Sequence, residues 1–134
     1  MDQNNISSYQ DNARLVSSCL VGSFAEKLRD VRKRVEVECF RRDRRQAEEL
    51  CMIIAEVESL PDHYEIQIAG EKVSMAFVKE IYTRLTHAHI KFVIIKFREQ
   101  KIITKYKKSY LRTMLYNSVF ELESHWINEV HVGE

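Results

Sequence analysis

The residues best suited to chemistry in this sequence are the cations between Lys96 and Arg112. Seven Lys or Arg side chains stand in this segment against one acid, Glu99. Tyrosines are interleaved with the cations, a pattern typical of phosphate contacts combined with stacking on bases. The segment therefore predicts a surface that meets an anion, either a nucleic acid or an acidic partner protein.

A helix is predicted over residues 107–121, and it should have two faces. At 3.6 residues per turn, one face is apolar and is expected to pack into the core, while the opposite face meets solvent. The expected packing face consists of Tyr110, Leu111, Met114, Leu115 and Leu122. The face expected to bind a nucleic acid or a partner consists of Lys105, Lys108, Arg112 and Tyr116, with Lys101 in the preceding connection.

A second basic cluster comes earlier in the chain. Four guanidinium groups within five residues are suited to bind phosphate or an acidic protein surface. The alternative is a solvated break between two helices, in which Asp43 and the following Glu48 and Glu49 screen the charge. The cluster consists of Arg41, Arg42, Arg44 and Arg45.

The histidines and cysteines predict no metal site. His87 and His89 are two residues apart, which on a helix points their rings about 200° apart. Cys19, Cys39 and Cys51 have no Cys-x-x-Cys spacing, so reduced thiols are expected rather than disulfides or a zinc ribbon. The sequence also has no nucleophile elbow, phosphate-cradling glycine loop or His-Glu-x-x-His motif. We therefore expect no metal, no cofactor and no catalysis, and we expect His89 to cap a helix or to pack against a hairpin.

The elements that position these residues should be mostly helices. Only three Gly and one Pro occur among 134 residues, which favours long helices over a sandwich or a barrel. The hydrophobic fraction of 45% and the charged fraction of 31% fit one globular domain, and a net charge of +1 argues against nucleic-acid binding by bulk charge alone. Without an apolar run long enough to span a bilayer or a signal-like amino terminus, a cytoplasmic protein with no membrane contact is expected.

The expected fold is a small, mostly α domain with one β-hairpin, of the α+β class. Residues 1–22 read as a linker or disordered lead, and residues 23–134 as a single helical domain. At 64–73, Ile66 and Ile68 alternate with polar residues and Gly70 supplies the turn, so a hairpin is predicted whose two isoleucines pack against helices. Helices are predicted over 24–38, 44–59, 74–85, 86–98 and 107–121, with an exposed turn at 40–45 and with Ser74 and Thr86 as N-caps.

Four short motifs occur in one order along the chain. They are Ile66-Gln67-Ile68-Ala69-Gly70-Glu71, then Phe77-Val78-Lys79, then His89-Ile90, and finally Ser109-Tyr110-Leu111 with Leu115-Tyr116-Asn117. Through these motifs, from about Val35 to Asn117, the chain resembles the carboxy-terminal domain of replication initiator A-like proteins of Gram-positive plasmids and mobile elements. The resemblance implies structural roles for the matching hairpin, His89 and Asn117. It also implies contact with host replication proteins such as the helicase or its loader.

The last predicted helix is also similar, more distantly, to that of the DnaD carboxy-terminal domain of primosome proteins, which implies a DnaD-like fold. The DnaD helix carries Tyr-x-x-x-Ile-x-x-x-Trp. At the matching positions, Tyr110 keeps the tyrosine, Met114 replaces the isoleucine and Ser118 replaces the tryptophan. Because the tryptophan is lost, the single-strand DNA contact of that helix is not carried over to this chain.

The sequence supports three hypotheses about function. The resemblance implies a non-catalytic replication-initiation accessory domain of a plasmid or mobile element. A nucleic-acid-binding module, for single-stranded or double-stranded DNA, would instead need a continuous cationic surface joining Arg41–Arg45 to Lys101–Arg112. A structural module would form a homo-oligomer through a helix-pairing seam. The residues of that seam are Leu28, Val31, Val35 and Cys39.

Overall fold

A computed structural model describes the backbone of residues 23–101 and 103–133 and the side chains of residues 23–101 and 103–124. This part of the chain is mostly helical and contains one two-stranded antiparallel hairpin, which confirms the predicted α+β fold class. The linker predicted for residues 1–22, with Cys19, lies outside the described residues. In chain order the elements are α1 (residues 23–34), a 3₁₀ turn (Val37–Cys39), α2 (Arg44–Ser59), β1 (Glu65–Ile68), β2 (Glu71–Ser74), α3 (Met75–Tyr82), α4 (His87–Glu99) and α5 (Lys107–Gly133).

Helix α2 lies at the centre of the core. It packs against α3, α4, α5 and the 3₁₀ turn. Its buried face is wide, because the successive residues Ile53, Ile54 and Ala55 are all at most 4% exposed although they point in three directions around the helix. Full burial of a side chain such as Ile54 contributes about 1.5–3 kcal/mol to stability, so α2 is the element on which the other helices depend.

Helix α1 ends four residues earlier than the predicted 24–38. It stops at residue 34, and Glu36 turns the chain with a left-handed backbone at φ 53°. Val31 and Val35 are completely buried in the core of this chain, so they are not available to a second copy. Leu28 is half-buried against the core and Cys39 is exposed beyond the helix end. The predicted helix-pairing seam is therefore wrong, because its central residues already belong to the core.

An ion pair with a buried carboxylate joins α1 to α2. Arg34 Nη2 lies 2.7 Å from Oε2 of Glu58, whose side chain is only 7% exposed. The same guanidinium group donates to the carbonyl oxygen of Tyr82 at 3.5 Å. A buried carboxylate needs such a partner, since an unpaired charge in the interior is strongly destabilising.

The hairpin forms as predicted, with strands one residue from the expected bounds. Ile66 pairs with Val73 and Ile68 with Glu71, and both isoleucines are buried. Ala69 and Gly70 both have positive φ, 53° and 84°, as a type I′ turn requires. A Cβ on Gly70 would meet no atom within 4 Å. Backbone conformation, rather than a lack of space, therefore favours glycine at this position.

Two caps fix the start of α3 and α4. Ser74 Oγ accepts a hydrogen bond from the Phe77 N–H at 3.3 Å, and His89 Nδ1 accepts one from the Thr86 N–H at 3.0 Å. Burial lowers the pKa of His89 below its ordinary value of 6.5, which keeps the ring neutral and able to accept. The expected capping role of His89 is confirmed. Helix α3 nevertheless ends at Tyr82, three residues before the predicted end.

Helix α5 is longer than the predicted 107–121 and continues to Gly133. Leu111, Met114 and Leu115 are buried, as expected of its packing face. Ser118, which stands where the DnaD helix has its tryptophan, is 1% exposed and donates its hydroxyl to the carbonyl of Leu115 at 2.7 Å. This position faces the core, so it offers no surface for a single strand.

Candidate binding cleft

A cleft of about 300 Å³ opens where the start of α2, the end of α4 and the start of α5 meet. Its floor is apolar and its rim is polar. We name it the α2–α4–α5 cleft. The floor is formed by Leu50, Val93, Ile94, Phe97 and Leu111, and the rim by Gln46, Glu49, Arg98, Lys101 and Lys107.

The floor exists because three helices each present apolar residues to the same place. Val93 and Phe97 are one turn apart on α4, Leu50 comes from α2 and Leu111 from α5. Phe97 is half-buried, whereas Leu50 and Leu111 are at most 4% exposed. An apolar pocket with a few polar groups at its edge is the usual form of a binding site.

Two of the rim cations are held by acids of the protein itself. Lys107 Nζ lies 3.1 Å from Oε1 of Glu49 and 5.8 Å from the centre of the Phe97 ring. Arg98 pairs with Asp43, which ties the end of α4 to the turn before α2. Both ion pairs are largely exposed, so each contributes at most about 1 kcal/mol to the stability of the fold. Either cation can therefore exchange its acidic partner easily.

Lys101 differs from the other rim cations. It is exposed and forms no ion pair or hydrogen bond through its side chain within the described residues. Its backbone is left-handed, with φ 47°, a conformation that costs a residue with a side chain roughly 1–2 kcal/mol. The residue that follows α4 and its cap is thus a lysine, at a position where glycine would be the least strained residue.

The connection after Lys101 carries further exposed groups. Ile103 is fully exposed and Tyr106 is 66% exposed. Lys105 Nζ lies 5.2 Å from the centre of the Tyr106 ring. These side chains extend the cleft rim into a surface that is both cationic and apolar.

The predicted helical face of Lys105, Lys108, Arg112 and Tyr116 is not one free surface. Lys105 lies in the turn before α5, and Lys108 Nζ lies 2.5 Å from Oε2 of Glu56 on α2. This partner is 52 positions earlier in the chain, so the sequence pattern gives no sign of it. Lys108 is therefore not a free cation.

Arg112 and Tyr116 also differ from their predicted exposure. Arg112 is half-buried, with Nε out of solvent, and its carbonyl accepts the Tyr82 hydroxyl at 2.8 Å. Tyr116 is half-buried against the core, between Phe77 and Phe120 at ring distances of 6.3 Å and 5.4 Å. Both side chains support packing between α3 and α5 more than contact with a ligand.

Tyr110 was predicted to be a core residue, and this prediction is wrong. It is 38% exposed, and the centres of the Tyr110 and Phe97 rings are 6.2 Å apart in an edge-to-face arrangement. Tyr110 and Asn117 line a smaller cavity of about 160 Å³ between α4 and α5. An ion pair between Lys96 and Glu121, at 2.6 Å, lies beside that cavity.

The second basic cluster lies beside the cleft. Arg41, Arg42 and Arg45 are exposed, while Arg44 Nε lies 3.7 Å from Glu48. The Asp43–Arg98 pair brings this turn next to the cleft rim, so the two basic segments meet at one end of the molecule. Their charge is interrupted by the acids that pair with the rim and with Lys108. The arrangement is thus not the continuous cationic surface that a nucleic-acid-binding module would need.

The remaining titratable groups of interest lie away from the cleft. Burial raises the pKa of the Cys51 thiol to about 11, which keeps it neutral. His87 stacks on Phe40 at 4.2 Å, and its Nδ1 lies 3.1 Å from the Val35 carbonyl. Within the described residues, no three His, Cys, Asp or Glu side chains are grouped so that they could hold a metal ion. The cleft itself presents apolar side chains on its floor and charged side chains on its rim.

Sequence reasoning missed the contributions of Glu49, Arg98 and Lys107 to this site. Phe97 falls within the helix predicted over 86–98, but its position there does not single it out as a site residue. The available signal was the placement of Phe97-Arg98 and Lys101 at the end of a helix, where apolar and cationic side chains stand close together. Which acids would face them depends on tertiary packing.

Comparison with known proteins gave no matching family model and no match among curated proteins or solved structures. None of the helices in the described ranges is both long and apolar enough to cross a membrane.

Proposed function

We propose that this chain is a non-catalytic accessory module of DNA replication that acts by binding a protein partner at the α2–α4–α5 cleft. The observation that carries the proposal is the apolar floor beneath a cationic rim. A site for a polyanion needs positive charge but no apolar cleft, whereas an interface with a protein combines a buried apolar contact with a polar rim. The α2–α4–α5 cleft has the features of a protein interface.

The charge distribution also favours a protein partner. Asp43, Glu49 and Glu56 lie among the cations of this end and would repel a continuous phosphate backbone. A protein surface can place single acidic residues opposite Lys101 and Lys105 and avoid these acids. Matching of individual charges in this way is typical of protein interfaces.

The replication context rests on the sequence resemblance. The apolar residues Ile66, Ile68 and Ile90 of the matching motifs are buried in the core, so this part of the resemblance concerns the fold. The partners that the resemblance implies are the helicase of a Gram-positive host and its loader. These two proteins are the first to test.

The experiment measures binding of the immobilised chain to purified helicase and helicase loader by biolayer interferometry. We expect the double change Lys101→Glu and Lys105→Glu to weaken binding at least tenfold, because both cations are exposed and unpaired among the described side chains. Lys72→Glu, at an exposed hairpin position away from the cleft, is the matched control and should bind as the unchanged chain does. Absence of binding to both proteins would refute the replication proposal.

Nucleic-acid binding remains a second candidate because of one observation, the exposed Tyr106 ring with Lys105 beside it. A ring and a cation together can hold one base and its phosphate. Fluorescence anisotropy with an oligo-dT strand, in a salt series with Tyr106→Ala as the variant, tests it. A chain that binds no oligonucleotide at low salt would remove this candidate.

A further inference from the structure

We propose that the α2–α4–α5 cleft binds an acidic peptide segment of the partner, and that the segment inserts one large apolar side chain between Phe97 and Leu50. This inference rests on the proposed function, because it names the chemistry of the partner at the same site. Its occupant is a short, extended or helical segment with several Asp or Glu residues next to a Phe, Leu or Met.

The size of the cleft determines how much of the partner enters. About 300 Å³ is at the lower end of ligand pockets. This space takes one or two side chains and not a folded surface. Since the walls are apolar on three sides, the inserted group must be apolar, and burying it supplies most of the affinity.

The rim determines the charge of the residues that flank the inserted group. Lys101 is exposed, with no ionic partner on the described side chains, and it lies at the edge of the floor. Lys107 Nζ lies over the Phe97 ring, 5.8 Å from its centre, and is paired with Glu49 at 3.1 Å. A carboxylate of the peptide can pair with Lys101 directly and can replace Glu49 at Lys107.

Glu49 is thus an internal competitor for the ligand. Its carboxylate occupies the place beside Lys107 that the acidic peptide would take. Removing that charge frees Lys107 and removes a repulsion at the same time. The proposal therefore predicts that Glu49→Gln strengthens binding, an outcome that a purely structural role for Glu49 would not produce.

The test uses a synthetic fluorescent octapeptide with four acidic residues followed by Leu-Phe, measured by fluorescence anisotropy. Two matched peptides replace either the acids by Asn and Gln or the Leu-Phe pair by Ser-Ser. An oligo-dT strand of equal net charge is the fourth probe. We expect saturable binding of the first peptide, and at least tenfold weaker binding of the other three probes.

The variants test the two halves of the site. Lys101→Glu should weaken binding of the octapeptide tenfold or more, Glu49→Gln should strengthen it about threefold to tenfold, and Lys72→Glu should leave it unchanged. Phe97→Ala should weaken it at least tenfold, and its thermal unfolding curve shows whether the fold is kept. If that variant unfolds, Phe97→Leu replaces it, because leucine keeps an apolar side chain against the core and removes the aromatic ring from the cleft floor.

Three results would overturn the proposal. They are equal binding of the peptide without its apolar pair, equal binding of oligo-dT, and weakened binding in Glu49→Gln. Binding of helicase or loader that depends on Lys101, together with no binding of the octapeptide, would refute the acidic peptide while the proposed function stands. If neither the two proteins nor the octapeptide binds, the proposed function and the acidic-peptide proposal are both refuted.

Discussion

Lys101→Gly should be more stable than Lys101→Ala, while both variants weaken binding at the cleft. Lys101 follows the last residue of α4 and its cap, Gln100, and its φ is 47°. At this position after a helix, glycine is the commonest residue because it has no Cβ to clash in the left-handed conformation. A lysine there costs stability that glycine would restore.

The expected size of the effect follows from two opposing terms. In a residue with a side chain, the left-handed conformation lowers the free energy of unfolding by roughly 1–2 kcal/mol, and glycine avoids this cost. Glycine in turn lowers the free energy of unfolding by about 0.5–1 kcal/mol, because it gives the unfolded chain more backbone entropy. The difference leaves Lys101→Gly about 0.5–1 kcal/mol more stable than Lys101→Ala, which keeps the strain. For a domain of this size that corresponds to roughly 2–4 °C in Tm.

The alanine variant is the right comparison because both changes remove the same charge. A lysine near the end of a helix also interacts favourably with the helix dipole, by about 0.3–1 kcal/mol, and this contribution is lost in both variants. Urea unfolding followed by far-ultraviolet circular dichroism gives the two free energies of unfolding. Binding of the acidic octapeptide should fall equally in the two variants.

If Lys101→Gly is no more stable than Lys101→Ala, the strain argument is wrong. If both variants bind the octapeptide as the unchanged chain does, the cation is not part of the site. A gain in stability with a loss of binding would explain why a strained lysine stands where glycine is preferred, since strain of this kind is often kept for function.

Three further predictions concern the fold. Ala69→Asn should raise the free energy of unfolding by about 0.5–1 kcal/mol, because Asn tolerates the positive φ of a type I′ turn, and Ala69→Val should lower it; equal urea midpoints would contradict this. Arg34→Met should lower the free energy of unfolding by about 3 kcal/mol, because it leaves Glu58 buried and unpaired. The double change Arg34→Met, Glu58→Met should lower it by less. A double variant that loses as much stability as the single variant, or more, would contradict the argument. Burial lowers the pKa of His89 below 6.5, so its stabilising effect is complete above pH 6.5 and is lost as the pH falls below that value. Urea unfolding from pH 7 to 5 should therefore show a steeper loss for the unchanged chain than for His89→Asn, and parallel curves would refute the linkage.

The hairpin and most helices were predictable because their signals are local. Ile66 and Ile68 alternate with polar residues, Gly70 gives the turn, and Ser74 caps the helix that follows within a few positions. The early end of α1 was not predictable, because Glu36 is no usual residue for a left-handed turn. The turn directly follows Val35, which is completely buried, so it lies where the chain packs against the core.

The site was only partly predictable, for the same physical reason. The sequence singles out Lys101 and Lys105 as cations, and both are exposed. Lys108 has the same local pattern, yet Glu56 neutralises it from 52 positions earlier in the chain. Tyr110 has the spacing of a core residue, but Phe97 already fills the space beneath it. Which charged or aromatic side chain remains free is decided by contacts between helices.

The sequence motifs and the cleft rim occupy different residues, and on the proposed function this separation would let such a module change partners. Ile68 and Ile90, which belong to the motifs of the sequence resemblance, lie in the core, whereas the rim residues Lys101 and Lys107 lie outside those motifs. Substitutions at the rim therefore leave the packing of α2, α4 and α5 intact, since exposed changes usually alter stability by no more than about 0.5 kcal/mol. A reversal of charge at Lys101 would then change which partner is accepted without changing the fold. On this argument, the Lys101→Glu variant should lose the acidic octapeptide and gain affinity for a peptide in which Lys replaces each acid.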